Sequence, residues 1–195
     1  GQFHAPRRGR QQRPTVGLLY SVVRFKGVDV AFKAIEEVRR RGMDVQVVAL
    51  SDHKPEAHLP LLRDTELVFR PPQDRIRDLY ARCDVWLCGS RAEGFHLVPL
   101  EAMACRTPVV STSVGGRNGY LVDVEDWRGL ADRMMQVLSL PDDRWQAMSA
   151  AALETATRYT WDDATDQLEQ ALELTIRRAE AGEVQGGVQG AATVQ

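Results

Sequence analysis

The sequence lacks several features that would place a protein in a broad class at once. No apolar run approaches the roughly 18 residues of a membrane-spanning helix, and the first residues lack the apolar core of a signal peptide. The formal net charge is only −2, so the chain as a whole is not attracted to nucleic acid or to an anionic membrane. We therefore expect a cytoplasmic protein. Peripheral contact with the inner face of the membrane is the alternative, and we expect it only through the intact protein.

Cysteine is also scarce. The 3 cysteines, Cys83, Cys88 and Cys105, lie in apolar runs and lack the spacing of metal ligands or of a C-x-x-C motif. We expect buried thiols in a reducing compartment. No cluster of His, Cys, Asp and Glu has metal-ligand spacing either, so the sequence predicts no metal site.

What the sequence does contain is a regular alternation of short apolar runs and amphipathic segments. The predicted strands cover 15–20, 44–50, 66–70, 84–89, 107–113 and 119–122, and the predicted helices cover 27–42, 73–83, 97–105, 126–140, 141–159 and 160–182. Such alternation is typical of a parallel sheet with helices on both faces. We predict an α/β fold with a doubly wound, mostly parallel, Rossmann-like sheet and a C-terminal helical extension.

The ends of the chain differ in composition from this region. Residues 1–14 contain four arginines and no acid, which is typical of a flexible arm or linker. Residues 15–181 form the predicted domain, helical from about residue 126. Residues 182–195 are rich in glycine and polar residues, so we expect a disordered tail.

Ligands of a doubly wound sheet bind at the carboxyl ends of its strands, where the next helices begin. Three of these ends carry small or cationic residues, which together suit an anionic ligand. They supply Ser21, Arg24, Lys26 and Gly27 after the first strand, Gly94 after the fourth, and Gly115 and Gly116 after the fifth.

Two glutamates, Glu93 and Glu101, lie in the stretch "SRAEGFHLVPLEAMACRTPVV". If the whole stretch were helical, eight residues would separate them by roughly 12 Å. Paired catalytic carboxylates of glycosidases lie about 5–9.5 Å apart, so this spacing argues against such a pair. Each carboxylate can instead accept hydrogen bonds from a vicinal diol. A nucleoside diphosphate sugar has one diol at each end, with phosphates between them.

At this point the sequence resembles a known family. The stretch "SRAEGFHLVPLEAMACRTPVVSTSVGG", together with "NGYLV", "KGVDVAFKAI", "IRDLYARCDVWL" and "YTWDDA", is similar to the C-terminal, donor-binding domain of family 4, or group 1, glycosyl transferases of the GT-B fold. The resemblance runs from about Val16 to about Leu172. It implies a retaining transferase that uses a nucleoside diphosphate sugar as co-substrate, with no metal and no cofactor.

The resemblance also implies roles for individual residues. Glu93 would contact the donor sugar and Glu101 the ribose, while Lys26 would contact the diphosphate. The backbone at Gly94 and Phe95 would approach sugar and phosphate.

The sequence departs from the family pattern at several points. Ser21 stands where the family has an arginine, and Arg24 could supply the missing charge. His96 replaces a common glycine. Between Gly116 and Asn118 the family has a longer loop.

The expected partners follow from the same resemblance. They are a UDP-, GDP-, ADP- or TDP-sugar, an acceptor of unknown kind, and the N-terminal acceptor domain of a GT-B enzyme, for which residues 1–14 are too short. The chain alone is then expected to bind donor without turnover.

Other functions stay open to different degrees. A non-catalytic nucleotide-binding or interaction module with the same fold is the main alternative. An epimerase would need further acids or bases in the crevice. A dinucleotide-binding oxidoreductase is disfavoured because the first turn lacks G-x-G-x-x-G. Nucleic-acid binding is not expected, since the arginines of the arm have no interleaved aromatic residues.

Overall fold

The fold is given by a computed structural model that describes residues 2–94, 96–113, 120–158 and 161–181. The strands are β1 (Thr15–Leu19), β2 (Gln46–Ser51), β3 (Thr65–Phe69), β4 (Val85–Cys88), β5 (Val109–Thr112) and β6 (Tyr120–Val122). The α-helices are α1 (Val28–Arg40), α2 (Gln73–Ala81), α3 (Leu97–Ala104), α4 (Trp127–Leu138), α5 (Asp142–Thr157) and α6 (Trp161–Glu180). A 3-10 turn, Arg24–Lys26, lies between β1 and α1 and is called the Lys26 turn.

The strands form one parallel sheet in the order β3-β2-β1-β4-β5-β6. This is the strand order of a doubly wound Rossmann-like sheet, so the predicted fold class is confirmed. Because successive strands extend the sheet first to one side of β1 and then to the other, the order reverses between β1 and β4. A crevice forms beside the carboxyl ends of these two strands.

Buried residues of β4 alternate between two apolar clusters, one on each face of the sheet. Val85 and Leu87 belong to the cluster that contains residues of α1 and α4, whereas Trp86 and Cys88 belong to the cluster that contains residues of α2 and α3. A Cβ atom at Gly17 of β1 would overlap the ring of Trp86. Glycine at this position therefore lets a buried tryptophan pack directly on the neighbouring strand.

The predicted elements are all present, with ends that agree within two residues. One local feature differs from the expectation, since the Lys26 turn was not predicted. α3 begins at Leu97 as predicted, so Glu93 lies in the loop before the helix. The estimate of roughly 12 Å between Glu93 and Glu101 assumed a continuous helix, and it was wrong to apply it to this pair.

Residues 2–14 contain no helix or strand but have defined contacts with the sheet domain. The Arg8 guanidinium pairs with the buried carboxylate of Asp84 at 3.0 Å and lies over the ring of Trp145, 4.6 Å from its centroid. The ring of Phe3 packs edge-on against Tyr80. The segment predicted as a flexible arm is therefore held against the domain at several points.

The chain divides into two compact units, Gly1–Thr157 and Arg158–Gln195. The second unit contains α6, whose sequence places Leu168, Leu172 and Ile176 four residues apart and so on one face. The predicted boundary after residue 181 stays a prediction, because residues 182–195 lie outside the described ranges. No helix in the described part of the chain is long and apolar enough to cross a bilayer.

Candidate functional site

A cleft lies beside the carboxyl ends of β1 and β4. Apolar residues of the two strands and of α1 line part of it, including Leu19, Ala31 and Leu87, and the polar lining is Lys26, Ser90, Glu93 and His96. The topology of the sheet predicts ligand binding at this position. We therefore take the cleft as the candidate site.

Gly27 brings the two sides of the cleft together. It ends the Lys26 turn and begins α1 with a left-handed backbone, at φ 61°. An added Cβ would overlap the carbonyl oxygen of Gly89, the residue that follows β4. Both the backbone conformation and the close approach require glycine, and the result is that Lys26 faces the loop after β4.

Glu93 is held by two donors from different parts of the chain. The Lys26 ammonium donates to both of its carboxylate oxygens, at 3.0 and 2.9 Å, and the Ser90 hydroxyl donates to Oε1 at 2.7 Å. The side chain of Glu93 is only 7% exposed and that of Lys26 27%. A carboxylate this deeply buried needs such partners, because an unpaired buried charge is costly.

His96 is the third polar side chain at Glu93. Its Nε2 lies 3.4 Å from Glu93 Oε1, and the ring is mostly buried. Burial lowers the pKa of His96, although the neighbouring Glu93 carboxylate opposes this shift. The imidazole is therefore predominantly neutral at pH 7 and contributes a polar group without adding a positive charge to the cleft.

Glu101 has different surroundings from Glu93. It lies on α3, and its Oε2 accepts a hydrogen bond of 2.7 Å from the hydroxyl of Tyr80 on α2. Burial raises the pKa of Glu101, and the hydrogen bond from Tyr80 opposes part of that shift. Among the described residues, no hydrogen-bond donor contacts Oε1.

The N-terminus of α3 lies between the two glutamates in sequence. Its N-cap residue is His96, whose side chain makes no capping hydrogen bond. The first N–H groups of a helix lack partners within the helix and carry the positive end of its dipole. Pro99, in the first turn, has no N–H to offer. Residues Leu97 and Val98 therefore provide the backbone donors of this turn.

Three other residues predicted for the site lie within the described ranges, and they are Arg24, Ser21 and Gly94. Arg24 is exposed, and no hydrogen bond or ion pair joins its side chain to another described residue. Ser21 is buried, and its hydroxyl accepts a bond from the Val23 amide within its own loop. A Cβ at Gly94 would meet no described atom within 4 Å. Phe95, Gly115 and Gly116 lie outside the described residues.

Sequence reasoning missed two polar contacts of this site. Ser90 was treated only as part of the loop, and Tyr80 was read as part of an amphipathic helix. The hydroxyls of both residues donate to glutamates that the sequence did single out. The position of Ser90 just after a buried strand was a usable signal, but nothing local distinguishes Tyr80 from an ordinary core aromatic.

The cysteines lie as predicted, since Cys83, Cys88 and Cys105 are free and buried. Burial raises the pKa of Cys83 and of Cys105 to about 12, so neither is a thiolate at neutral pH. Across the described ranges, no group of 3 or more His, Cys, Asp or Glu side chains is arranged to hold a metal ion.

Comparison with known proteins identifies relatives of this chain. The profile of the family described as "Glycosyl transferases group 1" matches residues 13–140. A D-inositol 3-phosphate glycosyltransferase of Xylanimonas cellulosilytica is 35% identical over 157 residues, which are 72% of this chain and 37% of that protein. Other relatives with the same name are matched over 25–39% of their length. The chain thus spans well under half of these relatives.

Solved structures share the fold at lower identity. Sucrose-phosphate synthase from Thermosynechococcus elongatus superposes with a TM-score of 0.66 and 19% identity, over 90% of this chain and 50% of that one. The pneumococcal O-GlcNAc transferase GtfA, in complex with UDP and GlcNAc, has a TM-score of 0.62 and 20% identity, over 89% and 38%. The sheet order, the motifs and the family match lead to one conclusion: this chain belongs to the group 1 glycosyl transferases.

Proposed function

We propose that this chain is the donor-binding domain of a retaining glycosyltransferase, which transfers a sugar from a nucleoside diphosphate sugar to a glycan, lipid or small molecule. The observation that carries the proposal is the Lys26–Glu93 ion pair in the cleft beside β1 and β4. A cation and a carboxylate held together there suit a ligand that carries both phosphates and hydroxyls.

Donor binding has to open this ion pair. Both oxygens of Glu93 accept from Lys26, so a ligand has to replace some of these bonds to contact either side chain fully. In the proposed complex Lys26 donates to the diphosphate and Glu93 accepts from sugar hydroxyls. Ser90 can keep its hydrogen bond and hold the carboxylate in place. The exchange replaces one ion pair with two sets of charge-assisted hydrogen bonds.

Glu101 is proposed to bind the ribose. Tyr80 holds one of its oxygens, which orients the carboxylate and leaves Oε1 for a ribose hydroxyl. The N-terminus of α3 then lies between the sugar and ribose contacts along the chain, where its free N–H groups suit the diphosphate.

The proposed reaction breaks the bond between the anomeric carbon and a diphosphate oxygen. An acceptor oxygen bonds to the same carbon from the same face, and its proton passes to the departing phosphate. Lys26 and the N-terminus of α3 stabilise the charge that develops on the diphosphate. Arg24, exposed in the Lys26 turn, is the proposed second cation. This chemistry uses no metal and no resident cofactor.

Acceptor binding is proposed to require the second domain of a GT-B enzyme. The described residues form one Rossmann-like sheet, and its cleft is assigned to the donor. The chain alone is therefore expected to bind donor without transferring the sugar.

The alternative is a nucleotide-binding module that does not catalyse transfer. The observation that favours it is that both carboxylate oxygens of Glu93 accept hydrogen bonds from Lys26 or Ser90 of the chain itself. In such a module Lys26 and Glu93 would stay paired, and a sugar attached to the nucleotide would add nothing to its affinity.

Calorimetry with UDP, GDP, ADP and TDP, each with and without an attached sugar, tests the proposal. We expect one base to be preferred and the sugar to increase the affinity. A Lys26→Ala/Glu101→Ala double variant should lose measurable binding, and a Lys33→Ala/Glu36→Ala variant, with two exposed residues of α1 changed, should not. Unchanged binding by the first variant would show that the site is wrongly assigned.

A further inference from the structure

Arg91, three residues after β4, contacts three separate segments around the cleft. Its guanidinium donates to both carboxylate oxygens of Asp29 on α1, at 2.8 and 2.7 Å, and pairs with Glu125 in the turn before α4. Its Nη1 and its backbone N–H donate to the carbonyls of Arg24 and Phe25, at 2.8 and 2.7 Å. The sequence reasoning assigned no role to this residue.

The ion pairs of Arg91 combine a half-exposed carboxylate on each side with a mostly buried guanidinium. Its side chain is only 19% exposed, and the contact with Asp29 is bidentate, which is the strongest arrangement for arginine and a carboxylate. Hydrogen bonds from Arg91 lower the pKa of both Asp29 and Glu125. Both carboxylates are therefore ionised at neutral pH, and the cluster joins the segments that follow β1, β4 and β6.

The Lys26 turn has few other anchors. It is a three-residue 3-10 turn with no buried residue and no side-chain cap, and Phe25 is 47% exposed. Within the turn, the amides of Lys26 and Gly27 bond back to Val23 and Arg24. Two of its three carbonyls, those of Arg24 and Phe25, accept from Arg91. Arg91 is thus a main link between this turn and the loop that carries Glu93.

We propose that Arg91 is a positioning residue that holds the Lys26 turn against the loop after β4, so that the Lys26 ammonium faces Glu93 and the phosphate site. Arg91 acts through Lys26 in this proposal and does not touch the ligand. The alternative is that Arg91 only stabilises the fold.

The chain offers a matched control for that alternative. Arg41, at the other end of α1, bridges Glu37 on α1 and Asp132 on α4. It therefore resembles Arg91 in joining two carboxylates from two segments, but its partners do not include the Lys26 turn. Arg41→Ala removes a comparable clamp without removing the proposed link to Lys26.

The first test needs no ligand. The chain is acetylated with an N-hydroxysuccinimide ester. Mass spectrometry then measures the rate of acetylation at Lys26 relative to the rates at the exposed Lys33 and Lys54. We expect Arg91→Ala to speed the acetylation of Lys26 by about fivefold, because the turn opens more often. Arg91→Lys, which keeps the charge but loses the bidentate pairing, should have an intermediate rate. An unchanged rate in Arg91→Ala, or an equal increase in Arg41→Ala, would overturn the proposal.

The second test is a double-variant cycle that rests on the proposed function. We expect Arg91→Ala to weaken nucleoside diphosphate binding by about fivefold, and to have no effect in a Lys26→Ala background. An equal effect in both backgrounds would show that Arg91 does not act through Lys26. If the unmodified chain bound no nucleoside diphosphate, the proposed function would fail, and the acetylation rates alone would decide the role of Arg91.

Discussion

Glu93 and Glu101 are eight residues apart, and the fold gives them different partners. Glu93 lies in a loop and is paired with an ammonium, a serine hydroxyl and a histidine. Glu101 lies on a helix and accepts from a neutral phenol. One carboxylate is therefore paired with a cation of the chain itself, whereas the other is oriented by a neutral hydroxyl.

Because of this difference, a ligand has to displace a cation at Glu93 but not at Glu101. A ligand at Glu93 must compete with Lys26, so that the cost of opening the ion pair reduces the gain from the new contacts. A ligand at Glu101 adds donors to a carboxylate whose ionised form is disfavoured by burial. We expect removal of the charge to have opposite effects on nucleoside diphosphate affinity at the two glutamates.

The largest effect is expected for Lys26→Ala. Nucleoside diphosphate affinity should fall about ten- to a hundredfold, since one charge-assisted contact contributes roughly 1.5–3 kcal/mol. The measurement is calorimetry at constant salt, with Lys33→Ala on the exposed face of α1 as the control. Equal affinity in the two variants would contradict the assignment of Lys26 to the phosphates.

Glu101→Gln should have the next largest effect. It keeps the shape of the side chain but removes the charge, and nucleoside diphosphate affinity should fall about tenfold. Pyrophosphate lacks the ribose, so its affinity should not change. Glu36→Gln, at an exposed position of α1, is the control. A parallel loss of pyrophosphate affinity would mean that Glu101 does not act through the ribose.

Glu93→Gln should act in the opposite direction on the nucleotide. Without the carboxylate, Lys26 no longer has to leave an ion pair, so nucleoside diphosphate affinity should rise about two- to fivefold. The extra affinity that the attached sugar provides should decrease in the same variant. Comparison of each nucleotide with its sugar conjugate measures both changes. If the nucleotide bound more weakly to the variant, the competition between ligand and Glu93 would be ruled out.

The smallest effect is expected on stability at mildly acidic pH. Burial lowers the pKa of His96 in the folded chain, so the unfolded chain binds a proton first as the pH falls. The contribution of His96 to stability is present above its unfolded pKa, about 6.5, and is lost progressively as the pH falls from that value through the lower pKa of the folded chain. In urea unfolding, the free energy of unfolding should fall less between pH 7.5 and 5.5 in His96→Asn than in the unmodified chain.

His58→Asn is the control for this measurement, because His58 is exposed. Its loss of stability between the two pH values should equal that of the unmodified chain. An identical loss in His96→Asn would show that His96 is not the group responsible.

Much of the fold could be predicted from local patterns. The strands at Thr15–Leu19 and Val85–Cys88 are short apolar runs, and the helix at Val28–Arg40 has one buried face. These patterns report burial directly, because a strand covered on both faces is apolar throughout and a surface helix is apolar on one side. The same patterns indicated that the site lies at the strand ends.

The contacts within the site could not be predicted in this way. Lys26 and Glu93 are 67 residues apart, and Tyr80 and Glu101 are 21 apart. Their pairing depends on which strands are neighbours and on where the loops end. A local pattern contains neither, and for the same reason no pattern indicated that Arg91 joins three segments.

The sequence by itself determined the class of fold and the order of its elements, because periodicity and burial patterns are local properties. The tertiary structure decided which of those residues meet. It placed β1 beside β4, and through Gly27 and Gly89 it brought their loops into contact. Three sets of contacts join segments that only the completed sheet brings together. They are the ion pair of Lys26 with Glu93, the hydrogen bond from Tyr80 to Glu101 and the contacts of Arg91 with three segments.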